Sequence, residues 1–376
     1  MIVMPLGPDF ARALDIPLSH LGYVGGSYTA AASVSGLAGA FFLDRFDRRK
    51  ALAVAMVGLT LGTLSGAFAT GLVSLMAARV VAGAFGGPAT SLSYSIIADV
   101  IPPERRGRAM GAVMGAFSIA SILGVPAGLE LARQGGWKLP FIAVAILGAV
   151  LGTYSHLVLP PMVGHLAAAR KRAMGRDLVD LVRSDILLSL AMTFFVMMAS
   201  FILIPNISAY VLYNLGYPRS RLGLLYLVGG AVSLVTMRSV GKLVDRYGST
   251  PVGTFGIVFL TAVIYSGFVL VPPAIPVMAI FVGFMIAMAF RNVSYNTLTT
   301  KVPHPEERAR FSSVQSAVQH LASALGAFAS AQFLTENADH SLVGVGRIAI
   351  ASIAMGWILP PFLWIVERRV KASGQE

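Results

Sequence analysis

The stretch FLDRFDRRK, residues 42–50, places six charged side chains between two long apolar runs. The chain as a whole has only 12% charged residues, 56% hydrophobic residues and a mean hydropathy of +0.75. A soluble domain carries roughly 25% charged residues. The composition therefore predicts a membrane protein, in which residues 42–50 form a short turn between two spans.

Apolar windows that could cross a bilayer, roughly 20 residues each, recur along the whole chain. We predict eleven full spans, at 20–43, 51–70, 72–97, 109–132, 138–160, 185–211, 221–243, 252–271, 275–299, 311–334 and 343–366. The alternating pattern of a β-barrel is absent, so the spans are predicted to be helices, which satisfy their own backbone hydrogen bonds in lipid. The sequence thus predicts an all-α polytopic membrane protein.

The first eight residues, MIVMPLGP, are too short to cross a membrane, and a polar segment follows them. We expect them to be the last two turns of a further span, truncated at its start. A short re-entrant or signal-like stub is the alternative, although a basic region and a small-residue cleavage site are both absent.

The net charge of +12 is unevenly distributed between the two sides of the predicted spans. Of the 29 Lys and Arg residues, 20 fall on one side, six on the other and three inside or at the edge of spans. This asymmetry places residues 42–50, the central polar segment and the C-terminus in the cytoplasm, and it predicts an inner-membrane protein with no nucleic-acid partner. With no Cys and no GxxxxGK[ST] run, we expect no metal, no cofactor and no nucleotide cradle.

The charged turn recurs in the second part of the chain. The Asp44-Arg45 pair is matched 201 residues later by Asp245-Arg246, and Pro103-Glu104 is matched 202 residues later by Pro305-Glu306. This spacing predicts two parallel halves of six spans each. The predicted boundaries are a first bundle at 1–160, a cytoplasmic linker at 161–184 and a second bundle at 185–376.

Three motifs carry a resemblance to a known family. Residues 39–50, GAFFLDRFDRRK, resemble the loop between the second and third spans of the major facilitator superfamily. Residues 79–83, RVVAG, are similar to its fourth-span R-x-x-x-G pattern, and residues 124–128, GVPAG, to the fifth-span G-x-P-x-G pattern of its drug and sugar efflux proton antiporters, the arabinose-efflux-permease-like group. Ala40 and Asp47 depart from the family's glycines, and Ser249-Thr250 stands in place of a basic pair.

The resemblance implies two pseudo-symmetric six-helix bundles around a central cavity, with alternating access. It also implies export of a small organic solute, whether a drug-like compound, a sugar or an organic anion, in exchange for protons. An importer or facilitator of the same fold is the nearest alternative, and a non-transporting scaffold or sensor is a third. The expected partners are the solute, protons and the lipid bilayer, and we expect a monomer.

Charged residues at the cytoplasmic ends of spans are candidates for gating. Asp44 lies at the C-terminal end of a predicted helix, where the helix dipole disfavours an anion, so it needs cationic partners. The other predicted members of this cluster are Arg45, Arg48, Arg49 and Asp99, with Asp245 and Arg246 in the second half. We predict a latch that opens during transport, although the basic run 48–50 is equally compatible with a purely topological role.

Polar residues inside the spans are the candidates for coupling and substrate binding, because a charge near the bilayer centre is costly. We predict that Arg79 and Glu130 form a switch; the alternative is an Arg capped by carbonyls and an interfacial Glu. Histidine side chains commonly titrate near neutral pH, so His320 is a candidate proton carrier, or else a hydrogen-bonded packing residue.

The predicted substrate cavity and helix bend complete the candidate site. The cavity candidates are Tyr28, Tyr94, Asn206, Tyr210, Arg291, Asn292, Asn296 and Gln319. For Asn206 and Tyr210 an interfacial aromatic belt competes with a substrate-lining role. Gly124, Pro126 and Gly128 are predicted to bend their span, because Pro removes a backbone donor.

Overall fold

The computed structural model describes residues 3–102, 120–163, 183–270, 273, 275–303 and 308–372, with backbone alone at 40–42, 44, 98, 121 and 308–310. We call residues 3–163 the first half and residues 183–372 the second half. In the first half the helices are α1 (Gly7–Ala13), α2 (Leu21–Phe42), α3 (Arg48–Gly66), α4 (Leu72–Val100), α5 (Val125–Gly135) and α6 (Lys138–Val158). In the second half they are α7 (Ser184–Phe201), α8 (Leu222–Tyr247), α9 (Ser249–Ile264), α10 (Val277–Lys301), α11 (Arg308–Phe333), α12 (Val345–Gly356) and α13 (Leu359–Ala372).

Seven helical segments in the described part of the chain are long and apolar enough to cross a membrane. The chain is an all-α polytopic membrane protein, as the composition predicted. A two-stranded antiparallel hairpin, β1 (Thr335–Glu336) and β2 (Leu342–Val343), joins α11 to α12. Of the predicted linker 161–184, residues 164–182 lie outside the described residues, so the domain boundaries stay predictions.

Proline explains two places where the helices differ from the predicted spans. The span predicted at 185–211 breaks after Phe201, because Pro205 cannot donate a hydrogen bond to the Phe201 carbonyl; one-turn segments then continue to Asn214. The span predicted at 343–366 divides into α12 and α13, because Pro360 and Pro361 both lack an N–H group.

Two helices extend further than predicted. Helix α1 (Gly7–Ala13) continues through residues 9–13, which we expected to begin a polar loop. Helix α4, predicted to end at residue 97, continues to Val100. The hydropathy window stops early in both cases because the last turns carry Arg12 and Asp99, while the backbone hydrogen bonds continue.

Glycines bring the helices of the first half into close contact. A Cβ atom at Gly62 of α3 would overlap the backbone nitrogen of Ala82 in α4, and one at Gly83 of α4 would overlap the carbonyl oxygen of Tyr28 in α2. Helices α2 and α3 therefore both pack on α4 at backbone distance.

The two halves meet mainly along α2 and α11. A Cβ atom at Gly22 of α2 would overlap the carbonyl oxygen of Ala327 in α11. Further along the same contact, the Ser33 hydroxyl donates to the Ala317 carbonyl at 2.9 Å. Glycine at the contact thus allows the two helices to approach across the interface between the halves.

Side-chain contacts across the interface cluster at the face that the charge pattern predicts to be outer. Four such hydrogen-bonded pairs lie at this face in the part of the chain that the structure describes: Asp9 with Arg219, Arg12 with Tyr213, the Leu18 amide with Glu336, and Tyr23 with Gln332. We call these four contacts the outer latch. Each contact joins one residue of the first half to one of the second, so the latch holds the predicted outer face closed.

Candidate functional site

An ion pair at the end of the charged turn joins the start of α3 to the end of α4. Arg48 Nη1 lies 2.8 Å from Asp99 Oδ2, and Arg48 is only 9% exposed. Arg48 begins α3 and Asp99 lies in the last turn of α4, so each charge stands at the helix end that disfavours it. The ion pair offsets both of these unfavourable placements and fastens α3 to α4.

The remaining members of the predicted gating cluster are not all placed by the structure. The backbone of Asp44 lies in a 3₁₀ turn, Leu43–Arg45, and its side chain lies outside the described residues. Arg45 is exposed, and the backbone amide of Arg49 donates to Asp47. The proposed bond from Asp44 to these arginines therefore stays a prediction.

Asp47 caps α3, a role that the sequence reading did not assign. Asp47 Oδ1 accepts from the amide of Arg49 at 3.0 Å and from the amide of Met162 at 2.9 Å. The Met162 amide is the main reason why the pKa of Asp47 lies below its usual range. An Asp directly before a helix is a cap signal, whereas the bond to Met162, 115 residues away, has no local signal.

Replacing Asp47 with alanine is expected to lower the free energy of unfolding by about 1 kcal/mol, because α3 loses its cap. Since the folded-state pKa is lowered, the stabilisation by Asp47 is present at neutral pH and is lost as the pH falls through that lowered pKa. Melting temperatures of the purified protein measure this effect. The control is Asp245→Ala, which removes an exposed carboxylate in the last turn of α8 that caps no helix N-terminus, and an equal loss in the control would contradict the capping role.

The repeated turn in the second half is held differently. Asp245 is exposed and forms no ion pair within the described residues, and Arg246 lies over the Tyr247 ring at 5.2 Å. Glu367 of α13 instead accepts from the amides of Ser249 at 3.2 Å and Thr250 at 2.8 Å. A carboxylate at the N-terminus of α9 thus anchors the turn where the family's basic pair is missing.

The structure corrects the predicted pair of Arg79 and Glu130. The Arg79 guanidinium lies 4.5 Å from the centre of the Tyr28 ring, and its Nε atom is buried without a hydrogen-bond partner. Glu130 pairs with Arg133, one turn along α5, at 2.6 Å, and Gln134 donates to it at 2.7 Å. The nearer arginine on the same helix satisfies Glu130, so similar depth in the membrane was not sufficient evidence for the predicted pair.

A group of polar side chains around the buried Arg291 lies between α7, α10 and α11 in the second half. Arg291 is 1% exposed and donates to Ser200 Oγ at 2.7 Å and to Asn292 Oδ1 at 3.0 Å. No carboxylate among the described residues pairs with it. One turn later, Tyr295 interacts with the side chains of Asn296 and Gln319. We call Arg291, Asn292, Tyr295, Asn296 and Gln319 the polar group.

Gln315 extends this arrangement and was missed by the sequence reading. Its Nε2 atom donates to Thr193 Oγ1 at 3.2 Å and to Thr299 Oγ1 at 3.3 Å, which links α11 to α7 and α10. His320 is half-buried and interacts with the backbone of Ser316, one turn earlier in α11. A Gln within an apolar span is unusual, so Gln315 could have been identified from the sequence. Nothing in the sequence marks Thr193 and Thr299 as its partners.

Two of the predicted cavity residues are packing residues in this structure. Tyr210 is 2% exposed, donates to the Gly267 carbonyl at 2.8 Å and stacks on Phe268 with ring centres 4.9 Å apart. Asn206 is also 2% exposed and donates to Ser330 Oγ at 3.0 Å. Their assignment to an open cavity is therefore wrong for this conformation. Tyr94 is half-buried in α4.

The predicted bend coincides with a change of helix type. A π-helical turn, Ala120–Gly124, precedes α5, and Pro126 follows in the first turn of α5. Nothing lies within 4 Å of a Cβ atom placed on Gly124, whereas Gly128 is buried. Across the interface, Ile122 Cγ1 lies 2.9 Å from a Cβ atom placed on Gly230 of α8. The bend thus lies at the second contact between the halves.

Comparison with known proteins shows which family and which relatives this chain is similar to. Residues 1–327 match the family model described as Major Facilitator Superfamily. The chain is 28% identical over 245 residues to the inner membrane transport protein YdhP of Escherichia coli strain K12, covering 65% of this chain and 61% of YdhP. It is 26% identical over 262 residues to a chloramphenicol efflux pump of Mycobacterium tuberculosis strain H37Rv, covering 68% of this chain and 62% of the pump.

Solved structures show the same fold. The D-xylose-proton symporter superposes with a TM-score of 0.74 at 18% identity, covering 96% of this chain and 91% of that chain. A bacterial homologue of the human lysosomal transporter Spinster, in an inward-facing and occupied conformation, also gives 0.74 at 18% identity, covering 98% of this chain and 92% of that chain. The matches to the curated relatives span less than two thirds of those proteins' length.

Proposed function

The chain belongs to the major facilitator superfamily, and from this we propose that it is a secondary transporter that exports a small organic solute in exchange for protons. The observation that carries the proposal is the burial of Arg291, because the cost of burying its charge with no carboxylate partner among the described residues is hard to explain in a scaffold. The fifth-span motif at 124–128 and the relative that is a chloramphenicol efflux pump support export.

In the proposed cycle, the solute enters from the cytoplasm while the outer latch is closed. The polar group supplies donors and acceptors from the second half, with Asn296 exposed and Asn292 half-buried. In the first half, the Arg79 guanidinium lies over the ring of Tyr28 in a cation–π contact. We infer that solute binding draws the two halves together on the cytoplasmic side, so that the outer latch opens and the solute leaves.

We assign proton coupling to His320, whose half-buried ring lies on α11 next to Gln319 of the polar group. We assign gating to the cluster of Asp44, Arg48 and Asp99, whose Arg48–Asp99 pair ties α3 to α4. In this proposal the protein acts as a monomer in the inner membrane, with its C-terminus in the cytoplasm.

Import or facilitated movement of a small anionic or polyhydroxyl solute is the second candidate function. The observation that favours it is the same Arg291, since its guanidinium lacks a carboxylate partner within the described residues and suits an anion or a hydroxyl-rich solute. Direction of flux therefore separates the two candidates.

Everted membrane vesicles from an efflux-deficient bacterium expressing the protein test the proposal. With an acidic lumen, we expect the vesicles to accumulate at least one compound from a panel of chloramphenicol, other antibiotics, dyes, sugars and organic acids. Asp44→Asn at equal abundance is expected to reduce this accumulation at least ten-fold, while Asp339→Asn, an exposed carboxylate in the β1–β2 hairpin, leaves it unchanged. Uptake only into right-side-out vesicles would establish import, and no movement of any compound in either orientation would overturn transport.

A further inference from the structure

A cavity of about 440 Å³ lies at the predicted outer face, between the two halves. This volume falls in the range of small-molecule sites. The first half contributes Asp9, Arg12 and Trp137 to its walls, and the second half contributes Tyr213 and Arg219 among others. The polar group lies on α10 and α11, and neither helix contributes to these walls.

We propose that this cavity is a binding site for a small aromatic anion, such as an aromatic carboxylate, whose binding holds the outer latch closed. Three aromatic rings, those of Trp137, Tyr213 and Tyr217, line the cavity. Trp137 is 9% exposed and packs edge-on against Phe141 with ring centres 5.9 Å apart. The indole is therefore held in a fixed orientation as a surface for a flat ligand.

The charges of the cavity select an anion. Asp9 neutralises Arg219, because both of its carboxylate oxygens accept from that guanidinium. Arg12 donates only to the Tyr213 hydroxyl, at 3.2 Å, and has no carboxylate partner within the described residues. Lys138, whose ammonium lies 5.8 Å from the centre of the Trp137 ring, adds a further cation beside the cavity. The free guanidinium of Arg12 can pair with a carboxylate through two parallel hydrogen bonds.

The site depends on the conformation of the protein. Its walls come from both halves, so the cavity exists in this form only while the outer latch is closed. A ligand that contacts both walls binds this state better than the open one, and it shifts the population toward the closed state by its differential affinity. Added from outside, such a ligand slows turnover without competing for the polar group; this consequence rests on the proposed transport function, whereas the binding itself does not.

The absence of cysteine makes a direct test practical, because one introduced thiol is the only one in the chain. Ala132 lines the cavity, so the purified full chain carrying Ala132→Cys is labelled with a charged maleimide in the presence of 2-naphthoate or of the neutral 2-naphthalenemethanol. We expect 2-naphthoate to slow labelling and the alcohol to have at least ten-fold weaker effect. Equal protection by both probes, or protection by neither at millimolar concentration, would overturn the anion site.

Three further substitutions, each made in the Ala132→Cys protein, locate the binding. Arg12→Gln is expected to weaken protection by 2-naphthoate at least ten-fold, while Arg347→Gln, an exposed arginine at the start of α12 on the same face, leaves it unchanged. Tyr213→Phe removes the hydroxyl that holds Arg12 but keeps the guanidinium, so protection is expected to remain within three-fold. Undiminished protection in Arg12→Gln would overturn the assignment.

Transport measurements distinguish a failure of this proposal from a failure of the proposed function. Where a transported solute is found, 2-naphthoate on the outer side is expected to slow its movement at least five-fold in the parent protein and less than two-fold in Arg12→Gln. Binding without any slowing would overturn the inhibitory effect but not the site. If no compound is transported, the labelling results still decide whether the site exists.

Discussion

Linking position 23 to position 332 is expected to stop nearly all transport, and cleaving the link is expected to restore it. Tyr23 of α2 and Gln332 of α11 hydrogen-bond across the outer latch. Both are replaced by cysteine in a chain that otherwise contains none, and a membrane-permeant bifunctional thiol reagent that a reductant can cleave replaces the hydrogen bond. Alternating access requires these two positions to separate in every cycle. We therefore expect the linked protein to transport at less than one twentieth of the rate of the unlinked protein.

A matched link within one half distinguishes this effect from damage by the reagent. Arg369 Nη1 donates to Ser184 Oγ at 2.7 Å, and both residues belong to the second half. The linked pair Ser184→Cys and Arg369→Cys is expected to keep at least half of the transport rate, because the proposed cycle moves each half as a unit. Full transport by the protein linked at 23 and 332 would contradict movement at the outer latch.

The sequence predicted the elements of the fold better than their partners. Apolar windows predicted the spans because hydropathy is a property of each segment alone. The windows were wrong where Pro205 and Pro360 remove backbone donors that a hydropathy average does not register, and they stopped short where Arg12 and Asp99 lie in the last turn of a helix. The Arg48–Asp99 pair could be predicted from the sequence because both residues lie at helix ends on the same predicted face.

Most contacts between distant segments could not be predicted from the sequence in this way. The pair Arg79 and Glu130 was predicted from depth alone, and depth says nothing of the direction in which a side chain leaves its helix. The outer latch was missed entirely, since Asp9 and Arg219 are 210 residues apart and the Leu18 amide and Glu336 are 318 apart. Neither contact leaves a pattern that a single sequence can show.

The second large effect is expected from Gly22→Val, which should slow transport strongly without unfolding the protein. A Cβ atom at Gly22 would overlap the Ala327 carbonyl across the interface between the halves. Overpacking costs about 1–3 kcal/mol, and here the two halves can avoid that cost by separating at the outer face. The equilibrium between closed and open outer states should therefore shift about 5- to 150-fold toward the open state.

The comparison with Gly62→Val makes this argument testable. The Gly62 overlap, with Ala82, lies inside the first half, so no separation of the halves relieves it and the same cost falls on the free energy of unfolding. We expect Gly62→Val to lower the melting temperature and the yield of folded protein, whereas Gly22→Val keeps both and instead makes a cysteine at position 132 more reactive toward a charged maleimide. Gly241→Val, where nothing lies within 4 Å of the added Cβ atom, is the control for valine in a helix. If Gly22→Val lowers stability as much as Gly62→Val does, the contact of α2 with α11 is a permanent part of the fold and does not open during transport.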